Sequence, residues 1–227
     1  MKLAVLYSGG KDSNYALYKA QSYGHEIKCL INVKSKNNES YMFQSPGAGY
    51  TKFQSQSLDI PIITKETLGE KEKEIQDLKD AIIDAIKNYK IEGIVTGAIK
   101  SVYQASRIQN ICNELDIWCF NPLWQINEEE FIQELISNEF KVMIIGIAAY
   151  PLDKSFIGKY LDTEMLKKLK KLSKEYGLSI AGEGGEFETF VLDSPIFDRR
   201  LIISNLEIEY SNNSGELIIK EMEAIPK

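Results

Sequence analysis

Short apolar runs alternate with longer amphipathic segments through the first half of the chain. Five apolar runs have the length of buried strands: residues 3–7, 26–33, 60–64, 93–97 and 117–120. Residues 12–23 and 69–89 carry apolar side chains on one helical face, and Gly24 is placed to end the first of these helices. The alternation predicts an α/β domain, in which a parallel sheet is covered by helices on both faces.

The pattern changes after Pro122. Two helices, at residues 127–138 and 162–176, are predicted there, and each is followed by a strand, at residues 141–149 and 189–192. Two alternating runs then surround residues 212–215, Asn-Asn-Ser-Gly, which predicts an antiparallel hairpin. We therefore expect two domains, an α/β domain at residues 1–122 and a smaller α+β domain at residues 123–227.

Residues 34–50 form a polar stretch that is longer than most connections between elements. It follows the second predicted strand, where it would be either a mobile loop that faces a ligand or a disordered surface excursion. The sequence does not separate these two alternatives.

The composition is that of an ordinary globular protein and excludes several classes. Of 227 residues, 44% are apolar and 26% are charged, and the formal net charge is −6. An acidic chain offers no basic surface for a phosphate backbone, so nucleic acid is not expected as a partner. The longest apolar run, residues 142–150, is far shorter than the ~20 residues of a membrane-spanning helix, so no membrane association is expected.

The cysteines and the single histidine do not form a reactive centre. Cys29, Cys112 and Cys119 are odd in number and lack CxxC spacing, so we expect three reduced thiols in a cytoplasmic protein. His25 follows Gly24 at a helix end, where a capping role is expected. A histidine-based triad or metal site is therefore excluded.

Residues 8–13, SGGKDS, follow the first predicted strand and open the first predicted helix. This segment offers two bare backbone N–H groups, a cation, two hydroxyls and a carboxylate, at Gly9 and Gly10, Lys11, Ser8 and Ser13, and Asp12 respectively. These groups suit a phosphate with its metal ion, for which Lys11 is expected to be exposed and Asp12 is the metal ligand. A turn in which Asp12 or Ser13 only caps the helix is the alternative, but it would not need two glycines and a lysine together.

Three further segments extend this pattern. Residues 8–13 resemble the pyrophosphate-binding loop of the N-type ATP pyrophosphatases. In addition, the segments GAIKSVYQASR, PLWQ and GEGGEFETFVLDSP have the order and separations of the diphthine–ammonia ligase family, at residues 97–107, 122–125 and 182–195. The resemblance spans nearly the whole chain, and it implies an adenine nucleotide alpha hydrolase-like (HUP) sheet.

The resemblance also implies a reaction. It is the ATP-dependent joining of ammonium to the carboxylate of diphthine on elongation factor 2, through an acyl-adenylate, which gives diphthamide, AMP and pyrophosphate. The implied cofactors are ATP and Mg²⁺, and the cleft between the two domains is expected to bind the diphthine side chain. The residues expected to be catalytic are Lys11, Asp12, Arg107, Glu183 and Glu186.

Residues 97–107 supply the second group of expected site residues. Gly97 and Ala98 end the fourth strand at the same sheet edge as the first loop, so nucleotide could approach their backbone. With residues 8–13 they complete the expected nucleotide-binding set. If a helix follows, Tyr103 and Arg107 share a face with Gln104 beside them, and Arg107 could contact the α-phosphate or the substrate carboxylate.

Residues 182–189, GEGGEFET, supply the third group. Clustered carboxylates would bind a cation, so ammonium, the quaternary amine of diphthine and Mg²⁺ are all candidates, and one carboxylate could deprotonate ammonium. Phe187 is expected to add an aromatic face for the quaternary amine. The substrate-binding set is Tyr103, Gln104, Arg107, Glu183, Gly184, Gly185, Glu186, Glu188 and Thr189.

Two alternative functions are left open. One is adenylation of another substrate, such as a tRNA base or a small metabolite, by an enzyme of the same superfamily. The other is ATP sensing without catalysis. A homodimer is also left open by the sequence.

Overall fold

The computed structural model describes residues 1–35, 46–70 and 73–227. The chain divides into two compact units, Met1–Trp124 (the N-terminal unit) and Gln125–Lys227 (the C-terminal unit). The polar stretch at residues 34–50 lies largely outside the described residues. None of the described helices combines the length and the apolar character that a bilayer crossing requires.

The N-terminal unit is built on one parallel sheet. Its strands are β1 (Lys2–Leu6), β2 (Glu26–Ser35), β3 (Ile62–Thr67), β4 (Gly93–Val95) and β5 (Trp118–Phe120). Its helices are α1 (Lys11–Ser22), α2 (Thr51–Leu58), α3 (Lys73–Tyr89) and α4 (Val102–Glu114), with a short 3₁₀ helix at Pro46–Tyr50. The strand order is β3-β2-β1-β4-β5, and the predicted parallel sheet is confirmed.

The core of this unit lies on both faces of the sheet. Ala4 and Ile31 point to the face where α3 and α4 supply Leu78, Ile82 and Ile111, all of them buried. Because strand side chains alternate, Leu3, Val5 and Leu30 point to the other face, and α1 lies against β1, β2 and β4. The sheet is therefore covered on both sides.

The strand order places a switch point between β1 and β4. From β1 the chain moves outward through β2 to β3, then returns across the sheet to β4 on the other side of β1. The loops that leave the carboxyl ends of β1 and β4 therefore diverge, which leaves a crevice of the kind that binds ligands in α/β sheets. Residues 8–10 and 96–101 are those loops.

The C-terminal unit is an antiparallel sheet with two helices. The strands β6 (Lys141–Ile147), β7 (Phe187–Asp193), β8 (Arg199–Ser211) and β9 (Ser214–Pro226) have the order β7-β6-β9-β8. The helices are α5 (Glu128–Ser137) and α6 (Thr163–Tyr176), capped by the side chains of Asn127 and Asp162. The predicted α+β character is confirmed.

The hairpin of β8 and β9 turns at Asn212 and Asn213. Both residues have positive φ, 51° and 60°, which is the type I′ geometry that matches the twist of the strands. Asparagine tolerates this left-handed region better than most residues. The predicted hairpin is confirmed: its strands are 13 residues long each, and they pair at 12 positions with a register shift around Asn205.

Several elements of the N-terminal unit differ from the sequence prediction. β4 covers Gly93–Val95 rather than residues 93–97, so Gly97 and Ala98 lie in the loop after the strand and do not end it. β3 covers Ile62–Thr67 rather than residues 60–64, because Pro61 lies before the strand and the ladder with β2 runs on to Thr67. Helix α2 was not predicted, since Thr51, Ser55 and Ser57 are poor helix formers and polar residues at that spacing give no apolar stripe.

Candidate functional site

The loop after β1 reverses the chain at two glycines. Gly9 has a φ of +85°, in the left-handed region that glycine adopts at low cost. Gly10 is extended, with φ −77° and ψ 175°, and α1 begins at Lys11. The first N–H groups of a helix lack intrahelical partners and carry the positive end of its dipole, so the start of α1 suits an anion.

Buried amide side chains hold the two glycine carbonyls. The Asn14 amide nitrogen donates to the carbonyl oxygens of Gly9 at 3.1 Å and Gly10 at 2.9 Å. The Gln54 amide nitrogen donates to the Gly9 carbonyl at 2.9 Å. The Tyr7 hydroxyl donates to the Asn14 amide oxygen at 2.7 Å, and burial raises the pKa of Tyr7 well above its usual value, so it stays a donor.

The charged pair of the loop is Lys11 and Asp12. The Lys11 ammonium lies 3.0 Å from Asp12 Oδ2. The expectation that Lys11 is exposed is wrong: the residue is 3% exposed, because its side chain folds along the loop toward this carboxylate. The other carboxylate oxygen, Oδ1, is buried and has no hydrogen-bond partner among the described residues.

Two hydroxyls line the same loop. The Ser13 hydroxyl donates to the Gly10 carbonyl at 3.2 Å and lies 3.4 Å from the Ser8 hydroxyl. The Gly10 N–H contacts Ser8 Oγ at 3.4 Å. Ser8 is exposed, whereas Ser13 is buried. The structure thus brings together residues 8–13.

The loop after β4 lies directly against the start of α1. A Cβ added at Gly97 would lie 2.8 Å from the Asp12 carbonyl carbon and 3.0 Å from the Ser13 nitrogen. The next residue, Ala98, is buried, and its N–H contacts Thr96 Oγ1 at 3.3 Å. This loop has no room for a side chain at residue 97.

Asn121 supports the β4 loop from the end of β5. The neighbours of the Asn121 side chain are hydrogen-bond acceptors, so its amide nitrogen faces them. That nitrogen donates to the carbonyls of Thr96 at 3.0 Å and Ala98 at 2.9 Å. As with the first loop, a side-chain amide therefore holds backbone carbonyls.

Helix α4 continues this loop and carries the next group of predicted residues. The Ser101 hydroxyl caps the helix by accepting from the Gln104 N–H at 3.3 Å. The Arg107 guanidinium carbon lies 3.6 Å from the centroid of the Tyr103 ring. The i, i+4 spacing thus brings the two side chains together as predicted, in a cation–π contact.

In the C-terminal unit, the segment 179–186 is a tight loop before β7. Gly182 and Gly185 have φ of +73° and +78°. The Glu186 carboxylate accepts from the N–H of Ser179 at 2.9 Å and of Gly184 at 2.8 Å. Glu186 therefore closes the loop on itself.

A second carboxylate holds the same loop from α5. Glu128 Oε2 accepts from the Ser179 hydroxyl at 2.8 Å and from the Ala181 N–H at 3.2 Å. The Ser179 Oγ also accepts from the Glu183 N–H at 2.9 Å. Side-chain oxygens from α5 and from the loop itself therefore accept hydrogen bonds from the N–H groups of this loop.

The remaining residues of GEGGEFET are placed differently from one another. Glu183 and Glu188 are partly exposed, and Thr189 is buried in β7. Phe187 does not present the expected aromatic face, because it is 2% exposed and its ring lies against Gly182. Within the described ranges, no three His, Cys, Asp or Glu side chains converge to hold a metal ion, so these glutamates do not form a metal centre of that kind.

The thiols and the histidine are placed as structural groups. All three cysteines lie in the described part of the chain and are free. Burial raises the pKa of Cys29 to about 12. A hydrogen bond between Cys112 and Cys119 raises the pKa of the first thiol and lowers that of the second. The His25 ring packs against Trp118, with centroids 5.4 Å apart.

Sequence reasoning missed the side chains that support these loops: Asn14, Gln54, Asn121, Glu128 and Ser179. Of these residues, Asn14 has the clearest signal in the sequence. It lies directly after SGGKDS in the first turn of α1, where a short polar side chain can bond to backbone. Gln54 lies in a helix 45 residues from Gly9, and nothing local points to the contact.

The fold and the loop together define an α/β nucleotide-binding protein, in which a glycine-rich anion loop opens a helix at the switch point of a parallel sheet. Family models for the diphthamide synthase N-terminal domain and the diphthamide synthase C-terminal domain match residues 1–118 and 127–225. The chain belongs to the diphthamide synthase family.

The relatives of the chain carry an enzyme name. Proteins named diphthine–ammonia ligase from Bos taurus and Homo sapiens are each 35% identical to it, over 92% of this chain and 85% of the relative. A protein of the same name from Schizosaccharomyces pombe is 32% identical, over 100% of this chain and 40% of the relative. The family, the ligase class and the use of ATP predicted from the sequence are confirmed.

One solved structure with a similar chain comes from Methanocaldococcus jannaschii and is described as a predicted subunit of tRNA methyltransferase. It is 18% identical, has a TM-score of 0.46, and is matched over 86% of this chain and 98% of its own.

Gly97→Ala is expected to lower the free energy of unfolding by about 1–3 kcal/mol, because the added methyl group meets backbone atoms of α1 that cannot rotate away. Chemical denaturation measures the change. In the control, Gly49→Ala, the methyl group would meet the Lys34 ammonium at 3.8 Å, an ordinary van der Waals separation. Equal stability of the two variants would contradict the close approach.

Glu186→Gln is expected to speed amide hydrogen exchange at Ser179 or Gly184 about tenfold, since a glutamine can accept only one of the two N–H bonds. Exchange followed by NMR measures this. Glu183→Gln is the control, because that substitution keeps the bond from its own N–H to Ser179 Oγ. Unchanged exchange in Glu186→Gln would show that the carboxylate does not hold the loop.

Proposed function

We propose that the chain is an AMP-forming diphthine–ammonia ligase that acts on elongation factor 2. The diphthine carboxylate attacks the α-phosphorus of ATP and pyrophosphate leaves; ammonia then attacks the acyl carbon and AMP leaves. The anion loop at the switch point carries the proposal, because it sits in a chain whose two units both match the diphthamide synthase family.

Activation is needed because a carboxylate is a poor acyl donor. Ammonia would have to displace oxide, whereas the adenylate offers AMP as the leaving group. The chain therefore has to neutralise charge on the phosphates and orient the reacting groups. The start of α1 and the Lys11 ammonium supply positive potential for that role.

Asp12 fits the Mg²⁺ that the family implies. One of its oxygens accepts from Lys11, while the buried Oδ1 has no partner among the residues that the structure describes. A carboxylate oxygen left over in this way is the hard ligand that Mg²⁺ takes alongside phosphate oxygens and water. When bound, the ion would offset phosphate charge.

Gly97 and Ala98 fit the nucleotide side of the proposal. Their loop lies against the start of α1 and presents backbone rather than side chains there. Arg107 is the candidate cation for the α-phosphate or the diphthine carboxylate, with Tyr103 and Gln104 beside it on α4. The Tyr103 ring under the guanidinium restricts its rotamers, which lowers the entropy cost of a two-point contact.

The loop at residues 179–186 has the polarity required for a cation. Glu128 and Glu186 accept the N–H groups of Ser179, Ala181 and Gly184, so the segment is rich in acceptors and poor in donors. Such a surface suits ammonium or the quaternary amine of diphthine. With Gly184, Gly185 and Thr189, it forms the proposed substrate segment.

Within this segment we separate the roles of the glutamates. Both oxygens of Glu186 already accept backbone N–H groups, so we assign it to holding the loop. Glu183 is the candidate base that takes a proton from ammonium, and Glu188 adds negative potential for the cation. The protein substrate is a translation factor, so we expect the enzyme to work in the cytoplasm.

The reaction test uses ATP, ammonium and elongation factor 2 that bears diphthine. Equal amounts of AMP and pyrophosphate are expected, together with conversion of the carboxylate to an amide detected by mass spectrometry. ADP as the sole product would overturn the proposal. AMP release that does not depend on diphthine would be ATP hydrolysis uncoupled from amide formation, and it would contradict diphthine as the acyl substrate.

Lys11→Ala is expected to lower turnover by about 10²–10³-fold, because it removes the cation of the anion loop at residues 8–13. Since Lys11 is buried, the free energy of unfolding is measured in parallel. Lys19→Ala, in the last turn of the same helix, is the control and should retain turnover. A folded Lys11→Ala variant with wild-type turnover would remove Lys11 from the mechanism.

A further inference from the structure

Two buried amide side chains converge on adjacent carbonyls of the phosphate loop. Asn14 donates to the carbonyls of Gly9 and Gly10, and Gln54 adds a second bond to Gly9 at 2.9 Å. Asn14 and Gln54 are both 0% exposed. A buried polar side chain costs free energy unless it is hydrogen bonded, so these contacts constrain the loop strongly.

Gln54 reaches the loop from a separately anchored helix. Asn32, in the middle of β2, donates to the Ala48 carbonyl at 2.8 Å and also to the Thr51 hydroxyl at the start of α2. The Thr51 hydroxyl donates to the same carbonyl at 3.0 Å. Buried bonds thus tie the first turn of α2 to the sheet, and Gln54 lies one turn further along.

The direction of a carbonyl fixes the direction of the next N–H. In a planar trans peptide the C=O and the N–H point opposite ways. When the Gly9 and Gly10 carbonyls point at Gln54 and Asn14, the N–H groups of Gly10 and Lys11 point away from those amides. The Gly10 N–H accordingly contacts the hydroxyl of Ser8, which is exposed.

We infer that Gln54 is a positioning residue for the pyrophosphate end of ATP, acting through the Gly9 carbonyl and therefore through the direction of the Gly10 N–H. The inference deepens the proposed function and rests on it for the nature of the anion. Asn14 supports the same two peptide units from within α1. Gln54 is the more informative residue, because it belongs to neither the loop nor the helix that the loop opens.

The chemistry of the side chain separates positioning from space filling. Methionine has a similar length but no donor, so it fills the site without holding the carbonyl. An ionised glutamate would place a second acceptor against the Gly9 carbonyl and repel it. A protonated glutamic acid regains one donor, and burial raises the pKa of such a carboxyl, so lower pH favours the donor form.

The experiment measures binding of inorganic pyrophosphate by calorimetry, together with the KM values for ATP and for the protein substrate. Gln54→Met is expected to raise the dissociation constant for pyrophosphate and the KM for ATP about tenfold, which is the loss of one buried hydrogen bond. The KM for the protein substrate should not change. At pH 8, Gln54→Glu is expected to bind pyrophosphate more weakly than Gln54→Met does. At pH 6 its affinity for pyrophosphate should be about equal to that of Gln54→Met, or higher.

Gln56→Glu is the matched control, since this residue is exposed on the same helix and the change is identical. It should leave pyrophosphate affinity at the wild-type value at both pH values. The free energy of unfolding is measured for every variant, so that a loss of fold is recognised as such.

The outcomes are distinguishable. Wild-type pyrophosphate affinity in folded Gln54→Met and Gln54→Glu would overturn the inference and leave the proposed function standing. A merely structural role for Gln54 would lower the active fraction and the apparent kcat, leave both KM values unchanged and show no pH dependence in Gln54→Glu, and it would also overturn the inference. Failure of the wild-type chain to bind pyrophosphate or ATP would overturn the proposed function together with the inference.

Discussion

The orientation of two peptide groups at the end of β1 is the constraint on which the N-terminal site depends. A loop with two glycines has many accessible backbone conformations, and only some of them direct consecutive N–H groups toward an anion. The buried amides of Asn14 and Gln54 select one of these by holding the carbonyls of Gly9 and Gly10. The glycines allow the conformation, and the amides enforce it.

The loop of the C-terminal unit uses the opposite polarity. There, carboxylates on α5 and at the end of the loop accept backbone N–H groups, with Glu128 bonded to Ala181 and Glu186 bonded to Gly184. Donors hold the first loop and leave N–H groups for an anion, whereas acceptors hold the second loop and leave it suited to a cation. The chain thus carries one loop that suits an anion and one loop that suits a cation, and these match the phosphate and the amine of the proposed reaction.

Much of the fold could be predicted from the sequence, because periodicity reports burial directly. The alternation of apolar runs and amphipathic segments indicated the parallel sheet, and Asn212 and Asn213 indicated the hairpin turn. Helix α2 could not be predicted in this way, since its buried residues include Thr51, Gln54 and Ser57, which make polar contacts rather than an apolar stripe. The buried state of Lys11 was missed for a related reason: a lysine is read as exposed unless its partner is known.

The sequence by itself determined the class of chemistry, because SGGKDS places bare backbone, a cation and a carboxylate at a strand end, and such a combination has few uses. Only the tertiary structure decided which side chains hold that backbone in place. Gln54 lies 45 residues from Gly9, whose carbonyl it holds, and Glu128 lies 53 residues from Ala181, whose N–H donates to it. Hydrogen bonds of that kind are set by how helices and strands pack, and no local pattern of residues records them.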